Sequence, residues 1–262
     1  MYPILFHIGP FTVHTYGVLI ATAFLVGIML AAREGKRKGI DPERMMDLGL
    51  YILIAAIVGS RLFQVAVEHK YFFQHPLEII KIWKGGLAFY GGFIGALFAG
   101  IWYLKRHRMP VWKVGDALAP SIALGQAIGR LGCFSAGCCY GLPTNVPWAV
   151  TFTAPGTLAI PGVPLHPTQL YESFSMFILF AVLWAFRKKT KFDGQLFWIY
   201  VMSYSVIRFI IENYRGDVER GFIQMGGFDL STSQGVAIFA FLTAAVAMAA
   251  LRAQARKKHL AE

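Results

Sequence analysis

The chain has 262 residues, of which 56% are hydrophobic and only 15% are charged. A typical soluble domain has roughly 25% charged residues, so this composition excludes an ordinary soluble fold and favours an integral membrane protein. The formal net charge of +11 fits either a nucleic-acid binder or a membrane protein with basic cytoplasmic loops, and the positions of the charges decide between them.

Seven stretches of the chain are apolar enough to cross a bilayer, which takes about 20 mostly apolar residues. In chain order they cover residues 16–32, 48–67, 87–104, 115–136, 170–186, 195–211 and 230–251. Glycines interrupt the fourth stretch, but small residues allow close helix packing in a membrane bundle. We therefore predict an all-α, polytopic membrane helix bundle of about seven transmembrane helices, forming a single integral membrane domain over residues 1–262.

The basic residues of the connections alternate from one side of the predicted bundle to the other. Connections after the first, third, fifth and seventh spans carry 17 Lys and Arg residues, and the opposite side carries 5. The positive-inside rule then predicts a periplasmic N-terminus and a cytoplasmic C-terminus. Because the charge is spread over four short loops instead of one face, this pattern disfavours nucleic-acid binding.

The longest connection is a Pro/Gly-rich loop at about residues 137–169 on the predicted periplasmic side. It contains no Lys, Arg, Asp or Glu. Loops of this length are uncommon and are often functional. Its lack of charge predicts that the loop folds onto the bundle or lies at the lipid interface.

Three arginines lie inside the predicted spans, where a charge at the bilayer centre costs at least about 2.5–3.5 kcal/mol. Arg61 is close enough to the outer interface to extend toward it, so we expect a structural role. Arg208 has Glu212 four residues later on the same helix face, which predicts an ion pair that could be purely structural. Arg130 lies between glycines that leave its guanidinium accessible.

Taken together, these inner arginines outnumber their obvious acidic partners, Glu172 and Glu212. We therefore expect an anion to complete the site. Arginine stays charged at physiological pH and binds phosphate through two hydrogen bonds, so a phospholipid headgroup is the predicted ligand.

A second polar cluster is predicted near the outer ends of the spans. It comprises His14, Tyr16, Tyr90, His166, Gln169, Tyr171 and Glu172. A single tyrosine at this depth is ordinarily an interfacial anchor, and a single histidine is ordinarily structural. The segment HPTQLYE at 166–172 is more specific, because it lies between an uncharged loop and a span and its proline suits a helix start.

Three cysteines, Cys133, Cys138 and Cys139, fall within seven residues. They are too few and too clustered for a disulfide framework. A metal site would need a further ligand such as His166, and we expect adjacent cysteines to make poor chelate geometry, so small packing residues are favoured. A vicinal disulfide stays open. We predict no metal ion and no cofactor.

These features together resemble the prolipoprotein diacylglyceryl transferase family. The matching segments are HTYG at 14–17, WKGGLAFYGG at 83–92, GRLGCFSAGCCYG at 129–141, HPTQLYE at 166–172, and the late pattern of Arg208, Glu212 and Arg215. They run through nearly the whole chain, and the last three in this order are quite specific.

The resemblance implies transfer of the diacylglyceryl group of phosphatidylglycerol to the thiol of the lipobox cysteine of preprolipoproteins, releasing glycerol phosphate, as the first step of bacterial lipoprotein maturation. It implies a multi-pass protein of the bacterial cytoplasmic (inner) membrane with its active site toward the periplasm. The implied partners are phosphatidylglycerol, lipobox-bearing signal peptides and the lipid bilayer, with no nucleic acid.

The resemblance also assigns roles to residues. The implied catalytic residues are Arg130, Arg208, Tyr16, His14, Tyr90 and Glu212, and the implied substrate-binding residues are Arg130, Arg208, Arg215, His166, Gln169, Tyr171 and Glu172. The two arginines would hold the phosphate and stabilise the departing charge. His14, Tyr16, Tyr90 and Glu212 are the candidates to receive or relay the thiol proton.

The chain departs from familiar members at a few positions. The residue at Tyr90 is often His in the family, and the positions of Cys133, Ala136 and Cys138 are commonly Asn, Asn and Glu. Two alternatives rest on the residues alone. One is a transporter of an anionic lipid or solute that uses the same arginines, and the other is a thiol-redox membrane protein built on the cysteines.

Overall fold

The computed structural model describes residues 2–9, 11–82, 85–216, 221–225 and 228–261. Trp83 and Lys84 of the segment WKGGLAFYGG, and Arg220, one of the five basic residues counted on the predicted periplasmic side, lie outside the described residues. The helices are α1 Thr15–Arg37, α2 Pro42–Val67, α3 His69–Gln74, α4 Phe89–Arg106, α5 Val111–Ala136, α6 Thr168–Phe186, α7 Gln195–Glu212 and α8 Thr232–Ala261, with a 3₁₀ helix at Pro76–Ile80.

Short antiparallel ribbons accompany the helices. They pair β1 Ile4–Ile8 with β2 Phe11–His14, β3 Val150–Thr151 with β4 Pro164–Leu165, and β5 Phe222–Met225 with β6 Phe228–Ser231. Each pair is two-stranded. The protein is therefore built mainly of helices, as the sequence predicts.

Each of the seven predicted spans coincides with a helix. Four of them, α1, α2, α6 and α8, combine the length and the apolar composition of a membrane span. Several helices extend beyond the apolar stretch. Helix α2, for example, begins at Pro42 because the Asp41 side chain accepts a hydrogen bond from the Glu43 N–H at 3.0 Å and caps the helix. The all-α prediction is confirmed, and the count of seven spans and their orientation stay predictions.

The chain forms two compact units, one of residues 32–114 and one of residues 1–31 and 115–262. In the first unit, α2 and α4 pack through glycines. A Cβ added at Gly91 would lie 2.3 Å from the Gly59 carbonyl oxygen, and one added at Gly95 would lie 2.4 Å from the Ala55 carbonyl oxygen. The pairs are spaced four residues apart on each helix, which is the small-residue pattern of close membrane-helix packing.

Arg61 of α2 organises the segment before α4. Its guanidinium donates hydrogen bonds to the carbonyl oxygens of Ile79, Gly85 and Gly86, each at 2.9 Å, and also to that of Glu78. These contacts satisfy the side chain inside its own unit. The predicted structural role of Arg61 is confirmed.

In the second unit, the small face of α5 packs against α6 and α7. The buried cluster contains Ala119, Ala123 and Ala127 of α5, Met176, Leu179 and Leu183 of α6, and Leu196 and Tyr200 of α7. Hydrogen bonds fix the register, because the Ser173 hydroxyl donates to the Ala127 carbonyl oxygen at 2.8 Å and Asp116 accepts from the Leu196 N–H at 2.9 Å. This packing aligns the three helices along their length, from Asp116 and Leu196 at one end to the end where the arginines lie.

The loop at residues 137–169 has a small core of its own. Phe152, Ala159 and Leu165 are buried in it. The Phe152 ring meets Phe134 of α5 edge-on, with 5.9 Å between ring centroids. The uncharged loop therefore packs onto the end of α5, one of the two arrangements that its composition predicts.

Candidate active site

Two arginines and two glutamates from three helices form one ion-pair network. Arg130 Nη2 on α5 lies 3.0 Å from Glu172 Oε1 on α6, and the other oxygen of Glu172 lies 3.7 Å from Arg208 Nη1 on α7. Arg208 Nη2 lies 2.7 Å from Glu212 Oε2 one turn along α7. Glu172 is thus shared by both arginines and sets their spacing.

The predicted Arg208–Glu212 pair is confirmed, and Arg130 is paired with Glu172, the other carboxylate of the later spans. Glu172 lies on a different helix, so its approach to Arg130 depends on how α5 and α6 pack. The ion-pair network contains two cations and two anions. The predicted excess of arginines over carboxylates is therefore wrong within this network, and the arrangement of the donors is what supports a phosphate site.

The network is buried but incompletely hydrogen-bonded. The residues Glu172 and Glu212 are 2% and 3% exposed. Among the described residues, Arg208 Nη1 and Gln169 Oε1 are buried and make no hydrogen bond. Buried polar atoms are nearly always hydrogen-bonded, so this donor and this acceptor each have unused capacity to bind a ligand.

Tyr204 is a member of this site that the sequence analysis missed. Its hydroxyl lies within hydrogen-bonding reach of Arg130. Tyr204 precedes Arg208 by four residues on α7, so helical spacing places both on one face. The four-residue spacing could have identified Tyr204 from the sequence. It was overlooked because tyrosines in membrane proteins are commonly interfacial anchors.

The residues of the segment HPTQLYE make three different kinds of contact. Thr168 and Gln169 donate side-chain hydrogen bonds to the carbonyl oxygens of Cys139 and Cys138, each at 2.8 Å, and so hold the loop after α5. Glu172 joins the ion-pair network. His166 and Tyr171 face each other, with His166 Nδ1 3.0 Å from the Tyr171 hydroxyl oxygen.

The His166–Tyr171 pair belongs to a larger aromatic group at the edge of the site. The indole N–H of Trp148 donates to the Tyr171 hydroxyl oxygen at 2.7 Å, and the rings of His166 and Tyr214 lie 5.4 Å apart. Aromatic rings with polar tips suit a surface that is apolar on one side and polar on the other. This group could therefore contact a lipid or peptide at the boundary of the site.

Gly141 allows three backbone segments to cross beside this aromatic group. Its N–H donates to the His166 carbonyl oxygen at 2.9 Å, and an added Cβ would lie 2.6 Å from the carbonyl oxygens of both His166 and Tyr214. Only glycine leaves room for this crossing. The loop, α6 and the end of α7 therefore converge at one point.

The remaining predicted residues lie in different places. Tyr16 begins α1 and packs on Gly132 of α5, where an added Cβ would lie 3.2 Å from the Tyr16 ring, and its hydroxyl interacts electrostatically with Arg130. His14 ends β2 and is exposed. Arg215 forms an isolated bridge with Gly141 after α7. Tyr90 is exposed on α4 and belongs to the unit of residues 32–114.

The three cysteines converge beside Arg130. Their Sγ atoms all lie within 4.8 Å of one another, so the fold brings the adjacent cysteines and Cys133 together. Interactions with the thiols of Cys133 and Cys138, followed by the charges of Arg130 and Arg215, lower the pKa of Cys139. The cluster is thus a second group of chemically active side chains at the edge of the network.

The geometry of the network suits stabilisation of an oxyanion. Each guanidinium has five N–H donors in a fixed plane, and the two carboxylates use only some of them. Because the carboxylates and the helix packing hold both guanidinium groups in place, little reorganisation is needed when negative charge develops between them. A phosphate group is the anion whose oxygens best match paired arginines.

Known proteins of one kind match this chain over most of its length. The family model for prolipoprotein diacylglyceryl transferase matches residues 3–250. The phosphatidylglycerol–prolipoprotein diacylglyceryl transferase of Bacillus cytotoxicus is 42% identical over 215 residues, which is 80% of each chain. The protein of the same name from Clostridium tetani is 37% identical over 243 residues, covering 92% of this chain and 94% of its own.

Proposed function

The chain belongs to the prolipoprotein diacylglyceryl transferase family, and we propose that its network of Arg130, Glu172, Arg208 and Glu212 transfers the diacylglyceryl group of phosphatidylglycerol to the lipobox cysteine of a preprolipoprotein. The observation that best supports this site is that Glu172 bridges two arginines from different helices. A transporter built on the same arginines has no observation in its favour, and every relative named above is a transferase.

The reaction forms one bond and breaks one. The thiolate of the substrate cysteine attacks the glycerol carbon that carries the phosphate, a C–S bond forms, and the C–O bond to the phosphate breaks. Glycerol phosphate leaves with one more negative charge than the diester had. Arg130 and Arg208 stabilise that charge, which is the largest electrostatic change in the reaction.

The residues around the network bind the two substrates. Gln169 Oε1, a buried acceptor, accepts a hydrogen bond from a hydroxyl of the glycerol headgroup. Arg215, which follows the end of α7, adds positive charge there. His166 and Tyr171 form the aromatic edge against which the lipid or the signal peptide lies. Among the candidates to receive the thiol proton, Tyr16 lies beside Arg130, Glu212 is paired with Arg208, and His14 and Tyr90 are exposed.

The location of the reaction follows from the predicted topology. The protein spans the bacterial inner membrane with seven helices, an N-terminus and active site on the periplasmic side, and a cytoplasmic C-terminus. The alternation of 17 against 5 basic residues supports this orientation. A green fluorescent protein fused to the C-terminus should fluoresce, and a fused alkaline phosphatase should be inactive. The reverse pattern would contradict the orientation.

The decisive test of the function is a transfer assay with purified protein. Phosphatidylglycerol in detergent micelles and a peptide with a lipobox cysteine should yield a diacylglyceryl peptide, detected as a mass increase, together with free glycerol phosphate. Phosphatidylethanolamine should give no product at the same concentration. Arg130→Ala should abolish the product while the protein remains folded, and product formation by this variant at the wild-type rate would exclude the proposed role of Arg130.

A further inference from the structure

The three-sulfur cluster is an unassigned group of ligands at the edge of the active site. Cys133 lies in the last turn of α5, and Cys138 and Cys139 follow in the loop, with all three Sγ atoms within 4.8 Å of one another. We propose that the three thiolates bind a zinc ion whose fourth position accepts the thiol of the peptide substrate. The binding of the peptide thiol to zinc rests on the proposed transferase function, and the binding of zinc itself does not.

The distances are close to those of a zinc site. Zinc–sulfur bonds of about 2.3 Å in a tetrahedron place the ligand sulfurs about 3.8 Å apart. Each pair in this cluster therefore needs to close by at most about 1 Å from its upper limit of 4.8 Å. A change of that size is within the reach of side-chain rotation, with no movement of the helices.

The backbone brings together two neighbouring thiols that would otherwise point apart. Cys139 has a φ of 59°, in the left-handed region that residues other than glycine rarely adopt. This turn places the Cys138 and Cys139 thiols on one side of the chain. Thr168 and Gln169 fix it through their 2.8 Å hydrogen bonds to the carbonyl oxygens of Cys139 and Cys138. The conformation is therefore held from α6 and does not depend on the cysteines alone.

The charges nearby suit a zinc–thiolate group. Three thiolates and one Zn²⁺ have a net charge of −1. Arg130 and Arg215 both act electrostatically on Cys139, so they would stabilise an anionic cluster. Thiolate ligands select soft or borderline metals, among them zinc, and three protein ligands leave the open position that is typical of catalytic zinc. The cysteines are all partly exposed, so that position can be reached.

A bound zinc ion would activate the substrate thiol by favouring its deprotonated form. A thiol that binds zinc is deprotonated, and its proton passes to solvent. The bound sulfur then attacks the glycerol carbon, the C–O bond to phosphate breaks, and the leaving glycerol phosphate takes the bonding electrons beside Arg130. The product thioether is a weaker ligand and departs, so zinc is neither oxidised nor reduced. This route needs no strongly basic side chain at the position of Tyr90.

The first test measures the metal without any lipid substrate. Protein purified under reducing conditions and loaded with zinc should retain about one zinc per chain. Replacement of zinc by cobalt should give thiolate-to-cobalt charge-transfer absorption. Cys133→Ser, Cys138→Ser and Cys139→Ser should each lose both signals, and Ser135→Ala, a neighbouring hydroxyl residue outside the cluster, should keep them. Thermal unfolding of each variant separates metal loss from misfolding.

Two results of the metal measurement would overturn the proposal. They are wild-type protein that keeps no zinc after reduction and loading, and a stable disulfide within the cluster that blocks metal binding. A result in which Cys→Ser variants stay folded and keep zinc would place the metal elsewhere and would overturn it equally.

The second test addresses the role of zinc in the reaction. A cysteine peptide added to the cobalt protein should change its absorption, and the matching serine peptide should not. At pH 7 a free thiol with a pKa of about 8.5 is only about 3% thiolate, so removing zinc should slow transfer by up to about 30-fold, with the deficit vanishing near pH 9. A metal-free enzyme as fast as the zinc form at pH 7 would exclude activation by zinc. If neither form makes product, the transferase function fails and the metal result stands alone.

Discussion

Glu172 on α6 contacts Arg130 on α5 across the helix interface, with 3.0 Å between carboxylate oxygen and guanidinium nitrogen. The second oxygen of the same carboxylate lies 3.7 Å from Arg208 on α7. One buried anion therefore connects three helices and sets the separation of both guanidinium groups. Its removal would leave two cations facing each other with less compensation, so Glu172 is the residue on which the arrangement depends most.

Glu172→Gln should lower stability and abolish transfer, since removing one partner of a buried ion pair typically costs about 3–5 kcal/mol. Phosphatidylglycerol should then raise the melting temperature of the variant more than that of the wild type, because the phosphate replaces the missing charge. Thermal unfolding with and without lipid measures this difference. Glu34→Gln is the control, since Glu34 is also buried and ion-paired, with Arg37 at 2.7 Å. An equal lipid response in both variants would contradict the prediction.

Arg130→Lys and Arg208→Lys should each reduce kcat/KM for phosphatidylglycerol by about 10²–10³-fold. Lysine keeps the charge but loses the planar pair of donors that matches two phosphate oxygens. Steady-state kinetics with varied lipid concentration measures the loss. Arg187→Lys is the control, because Arg187 lies outside the ion-pair network. It follows α6, and its Cζ lies 3.5 Å from the centroid of the Trp184 ring. Wild-type kinetics in either active-site variant would show that charge alone is sufficient.

Tyr204→Phe should reduce kcat/KM by about tenfold, the effect of losing one hydrogen bond to a charged group. The hydroxyl of Tyr204 helps to orient Arg130, and the ring itself should keep its packing. Tyr200→Phe is a close control, because Tyr200 lies one turn earlier on α7 and its hydroxyl donates to Gln126 Oε1 at 2.9 Å. Equal losses of activity in the two variants would remove the specific role of Tyr204.

The sequence predicted the parts of this protein that depend on local pattern. Apolar length located seven long helices in the part of the chain that the structure describes, and the spacing of Arg208 and Glu212 predicted an ion pair that is confirmed at 2.7 Å. The Arg130–Glu172 contact could not be predicted in this way, because it joins residues on different helices. The convergence of three cysteine sulfurs was missed for a similar reason, since it depends on the left-handed turn at Cys139.

The glycines of the segment FYGG at 89–92 were noted in the sequence only because they resemble a family motif. In the structure they allow α4 to pack closely against α2. Gly91 of α4 lies against Gly59 of α2 so closely that an added Cβ would be 2.3 Å from the Gly59 carbonyl oxygen and 2.3 Å from Phe63 Cβ. Backbone cannot yield to such a contact without moving the two helices apart. The segment therefore positions α4 against α2 whatever the role of Tyr90.

Gly91→Ala should destabilise the protein by about 1–3 kcal/mol or more, as expected for overpacking at a contact that cannot relax. Gly100→Ala on the same helix is the matched control, because its added Cβ would meet only the Ile52 side chain at an ordinary 3.7 Å. Alanine is the better helix former by roughly 1 kcal/mol, so this control should be neutral or stabilising. Unfolding temperatures of both variants in detergent test the pair. A Gly91→Ala protein as stable as Gly100→Ala would mean that the α2–α4 contact is looser than the structure has it.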